Sequence, residues 1–136
     1  MNYNYRGKIE NRNIARQIID FSGIQYGKIT PTDIDGLIEY HDKAIVLLEF
    51  KYDGAEVPKG QRMALERMCD CFRRATKEAA VLICEHYVKD WHEDIIARNA
   101  IVREVYYKGS WYNDGKSTVK EKIDRFIQFV DHNWID

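Results

Sequence analysis

The chain has 136 residues, a formal net charge of −1, 45% hydrophobic and 32% charged residues. Those proportions fit one folded globular domain over residues 1–136 and argue against a strongly basic nucleic-acid coat. No apolar run approaches the roughly 18 residues of a membrane span, and Met1-Asn2-Tyr3-Asn4-Tyr5-Arg6 lacks the apolar core of a signal peptide, so the expectation is a cytoplasmic protein with no membrane partner.

In chain order, the spacing of Ile14, Ile18 and Phe21 predicts a helix over 8–22, with Glu10 one turn before Ile14 and Gly23 and Gly27 ending it. Two strands follow, 33–40 and 44–52, joined by the hairpin connection Tyr40-His41-Asp42-Lys43. Asp53-Gly54 signals a turn. A helix over 60–75 puts Leu65, Met68, Phe72 and Ala75 within about 40° of Gln61, so Gln61 opens a core-facing stripe. Such an amide either caps local backbone or reaches the end of the sheet. Ala79 to Cys84 are continuously apolar and predict a strand at 78–86 buried on both faces. A further strand falls at 101–107, and Thr118-x-x-Glu121 is a capping box opening a final helix. Its apolar face, from Val119 to Trp134, would pack on the sheet or make a homodimer contact. The fold class is α/β: a small mixed sheet of four or five strands flanked by helices, with core order α-β-β-α-β.

The chemistry concentrates in the hairpin. Side chains alternate along a strand, so Glu49 and Lys51 share one face and Phe50 takes the other. Asp33 and Asp35, on the preceding strand, also share a face with each other. Pairing of the two strands would bring carboxylates beside one ammonium, the parts needed for metal-assisted phosphodiester hydrolysis. A surface hairpin with an incidental Glu49–Lys51 pair is the bland alternative.

Asp35 followed by Glu49-Phe50-Lys51, with an apolar strand leading into the Glu, resembles the PD-(D/E)xK nuclease superfamily over roughly residues 8 to 86. Ile34 stands where the Pro of that motif would fall, and Pro31 lies earlier. The resemblance implies a restriction-endonuclease-like or resolvase-like Mg2+- or Mn2+-dependent nuclease with DNA as partner. It implies Asp35, Glu49 and the Phe50 backbone carbonyl as metal ligands, Lys51 as the residue that positions or activates water, and Gln61 as a supporting residue. Glu10 would match the acidic ligand that some branches carry on an N-terminal helix. Asp33 competes with Asp35 for the ligand position. A non-catalytic nucleic-acid-binding or assembly module on the same fold is the alternative function.

The remaining motifs are weaker. Cys69, Cys71 and Cys84 form no even framework and read as reduced thiols, and Cys69 and Cys71 would lie about 200° apart on a helix, which argues against a shared metal. Arg62, Arg67, Arg73, Arg74 and Lys77 read either as a solvated face or as a basic groove. Tyr106, Tyr107, Trp111 and Tyr112 are either base-stacking or packed aromatics.

Overall fold

The hairpin forms in the computed structural model, which describes residues 18–133, as β1 (Gly36–Tyr40) and β2 (Ala44–Tyr52). They pair antiparallel, from Gly36 opposite Leu48 to Tyr40 opposite Ala44. His41 and Asp42 take φ of 50° and 60°, the left-handed backbone of the primed turns whose twist suits a hairpin. Helix α1 (Lys59–Arg74) then carries the chain to β3 (Glu78–His86), which lies parallel to β2. Parallel neighbours need such a crossover. After a 3-10 turn (Ala97–Asn99), β4 (Ile101–Tyr107) and β5 (Ser110–Asn113) add antiparallel strands, and helix α2 (Val119–Asn133) follows. The sheet order is β1-β2-β3-β4-β5. The described residues thus make a mixed α/β fold with a five-stranded sheet and two helices.

Contacts divide the chain into two units, Met1–Pro31 and Thr32–Asp136. In the first, residues 18–22 are not helical, although the periodicity predicts a helix through 22. The reason is local: the Asp20 carboxylate accepts from Ser22 N–H at 2.9 Å and Ser22 hydroxyl at 2.6 Å, a side-chain turn that competes with the helix. Residues 8–17 of that prediction, Glu10 included, lie outside the described residues.

In the second unit the sheet carries a core on each face. Leu47, Val81, Ile83 and Tyr106 pack under α1 residues Leu65 and Cys69. Val46, Leu48, Leu82, Cys84, Val102 and Val105 pack with Val119, Ile123 and Phe126 of α2 on the other face. The alternation of β2 and β3 between the two clusters is why Ala79–Cys84 are apolar without interruption. Val119, Ile123 and Phe126 of the α2 face that suggested a homodimer contact pack on the sheet within the chain, and Phe129 of α2 stays exposed. Thr118 and Glu121 make the expected capping box, with N–H to side-chain oxygen distances of 3.1 and 3.2 Å.

Candidate active site

β2 and β3 are parallel, so their carboxyl ends lie together, at the end of the sheet where α/β folds most often place ligands. β1 runs the other way and starts there. The sequence predicts a strand from 33, but it begins at Gly36, so Asp33 and Asp35 lie on the approach to β1. A Cβ at Gly36 would meet Leu48 Cδ1 at 3.2 Å, so a glycine suits the close approach of the chain to β2 just after Asp35.

The structure brings Asp35, Glu49 and Lys51 together. Phe50 N–H donates to Asp35 Oδ2 at 2.7 Å, which ties Asp35 to the end of β2. In a strand, N–H and C=O of one residue face the same edge, so the Phe50 carbonyl is turned toward the Asp35 side. The Phe50 side chain packs against the opposite core. Glu49 is 3% exposed, and no hydrogen-bond partner among the described residues reaches its Oε2. Its Oε1 lies 3.3 Å from Lys51 Nζ. Burial pushes the Glu49 carboxyl above its ordinary value, and the negative charge of Asp35 pushes it the same way. Lys51 opposes them. Asp35 and the partly exposed Lys51 ammonium thus both act on the buried Glu49 carboxylate.

Of the two aspartates, Asp35 meets the end of β2 through its carboxylate. Asp33 contributes its backbone carbonyl, which accepts from Gln61 Nε2 at 3.3 Å. Gln61 does not cap its own helix: the α1 N-cap is Pro58, with no side-chain cap bond. It ties α1 to the segment entering Asp35, two residues before that carboxylate. Glu10 is not among the described residues.

The sequence reading passes over Glu85 and Arg103. Glu85 stands opposite Lys51 on β3 and makes an ion pair with Arg103 at 2.8 Å. The signal for Glu85 is present: an apolar strand ends in a charged tip, as β2 does. Arg103 gives none, because its placement depends on a break in strand register.

Other candidates have structural partners. Arg62 forks onto Glu104 at 2.9 and 3.0 Å and lies over the Trp111 ring, Arg73 pairs with Glu78 at 3.1 Å, and Lys77 pairs with Asp42. Tyr106 donates to Asp70, Tyr107 to Glu78 and Trp111 Nε1 to Glu66, leaving Tyr112 exposed. Cys69 and Cys84 are buried in opposite cores, and burial raises both thiols to about 12. Among the described residues no three or more His, Cys, Asp or Glu form a metal-holding group. No helix among them is long and apolar enough to cross a membrane. No family model, curated protein or solved structure matches this chain.

Proposed function

We propose that the chain is a divalent-metal-dependent nuclease that hydrolyses phosphodiester bonds in DNA, in the cytoplasm. One observation carries the reading: the buried Glu49 carboxylate, with Oε2 unpartnered among the described residues, meets Asp35 and Lys51 at the end of β2. A buried carboxylate beside another negative charge is costly unless something positive faces both. Lys51 reaches one oxygen of Glu49 and leaves the other.

A hard cation fits that gap. Magnesium takes oxygen ligands, commonly only one or two of them protein carboxylates, so the absence of a three-carboxylate cage among the described residues is compatible with it. Asp35, Glu49 and the Phe50 carbonyl would hold Mg2+ or Mn2+, which supplies Lewis acidity and charge neutralisation at the phosphate. The chain's own residues do the rest. Lys51 orients the attacking water and offsets negative charge accumulating on the phosphate oxygens. Gln61 fixes the backbone that delivers Asp35.

The test uses purified protein and labelled linear, circular and four-way-junction DNAs, with Mg2+, Mn2+ or EDTA. Cleavage should require the metal, and Glu49→Ala or Lys51→Ala should each lower its rate by about 100-fold or more. Equal rates in wild type and Lys51→Ala would remove the lysine from the mechanism. Binding of these DNAs without cleavage under any metal would support a non-catalytic module instead.

A further inference from the structure

Lys51 stands between two carboxylates. Glu49 precedes it by two residues on the same face of β2, and Glu85 is its register partner on β3. Its ammonium sits at Glu49 Oε1, 3.3 Å away. An ammonium on a flexible four-carbon stem has no built-in preference between them. What Glu85 already holds makes the difference. Its Oε1 accepts from Arg103 Nη2 at 2.8 Å and from Gly54 N–H at 2.7 Å, and its Oε2 accepts from the Tyr87 hydroxyl at 2.9 Å. Arg103 is committed too, because Nη1 donates to the Ala55 carbonyl at 2.8 Å.

Arg103 reaches this position through a β-bulge. Ile83 pairs with Glu104 and Cys84 with Val102, so Arg103 is the extra residue on β4. In an unbroken strand Arg103 and Glu104 would point to opposite faces. Here Glu104 bonds Arg62 on α1 while Arg103 bonds Glu85, so the bulge turns two consecutive side chains toward the α1 side.

We propose that Arg103 is a positioning residue of the Glu49–Lys51 site: it occupies Glu85 and thereby leaves the Lys51 ammonium to Glu49. The role rests on the nuclease reading of that site. Without Arg103, Glu85 becomes a half-buried carboxylate short of a cation, and Lys51 is the nearest one in register.

Wild type, Arg103→Gln, Glu85→Gln and the double variant separate the outcomes. Gln at 103 keeps a donor for Ala55 but no charge, and Gln at 85 keeps an acceptor for Gly54 but cannot attract an ammonium as strongly. In metal-dependent DNA cleavage, Arg103→Gln should lower kcat by about tenfold or more with KM within about twofold. The double variant should return to within about threefold of wild type. No recovery in the double variant, or an unchanged kcat in Arg103→Gln, overturns the role. A crystal structure of Arg103→Gln reads the same point without activity: Lys51 Nζ should move to within about 4 Å of Glu85. Lys51 remaining on Glu49 overturns the role. The shift without wild-type cleavage on any DNA overturns the nuclease reading, and with it the catalytic role, while leaving Arg103 as the residue that keeps Lys51 on Glu49. If Arg103→Gln does not fold, Arg103→Met keeps the aliphatic bulk and carries the same expected outcomes.

Discussion

Glu49 is costly to the fold as it stands, and in the proposed nuclease its carboxylate would hold the metal. It ends an apolar strand, is buried, and has Asp35 beside it and Lys51 on only one of its oxygens. Because its carboxyl is raised above the ordinary 4.5, the folded chain holds that proton more tightly than the unfolded chain does. Stability from this group is therefore undiminished at pH below 4.5 and is lost as pH rises through the folded value. Glu49→Gln should raise stability at pH 7 by about 1 kcal/mol in metal-free buffer, while abolishing cleavage. The gain should vanish near pH 4, as followed by thermal unfolding across pH. A gain of equal size at both pH values would mean that the carboxylate charge is not the source of the cost.

At the scale of elements, the link from β5 to α2 supports the bulge that aims Arg103. Asp114 N–H donates to the Arg103 carbonyl at 2.9 Å and Gly115 N–H to the Val102 carbonyl at 2.7 Å, which supplies partners to β4 backbone at the bulge. The Asp114 carboxylate accepts from the N–H groups of Lys116 and Ser117, both at 2.8 Å, and pairs with Lys122 at 2.9 Å. Burial works against the charge, but these donors prevail and hold the carboxyl below its ordinary 3.8. Its stabilisation is thus full above pH 3.8 and is lost as pH falls through the lower folded value. Asp114→Ala should cost about 2 kcal/mol at neutral pH, with the difference from wild type shrinking below pH 3.8, as measured by urea unfolding. A constant difference at all pH values would assign the loss to packing.

Across the second unit as a whole, β2 and β3 join the two cores, since neighbouring residues of each strand belong to opposite clusters. Neither face can come apart without exposing the other side of the same strands. Leu65, buried under α1, and Leu82, buried on the α2 side, should therefore report on one cooperative transition. Leu65→Ala and Leu82→Ala should each lower its stability by about 3 kcal/mol. Far-UV circular dichroism and tryptophan fluorescence should give coincident urea curves in both variants. Separate transitions would mean that the two faces unfold independently.

Much of this arrangement was legible in the sequence because it follows from short-range periodicity. Alternation places Glu49 and Lys51 on one face and Phe50 on the other, whatever surrounds them. The apolar run at Ala79–Cys84 identifies a strand covered on both sides, and Thr118 and Glu121 mark the start of α2. The leading helix was misjudged at its end because the Asp20 side chain captures Ser22, which apolar spacing does not register. The sheet of four or five strands allowed for β5, but its position was not read, since its four residues carry too little pattern. Tertiary structure alone decided that the Asp35 carboxylate meets the Phe50 N–H, because it depends on where β1 begins relative to β2. It also decided the attachment of Gln61 to the Asp33 carbonyl and the turn of Arg103 toward Glu85. These depend on strand register, and one residue of shift moves a side chain to the opposite face, a difference set by the packed sheet rather than by any local segment.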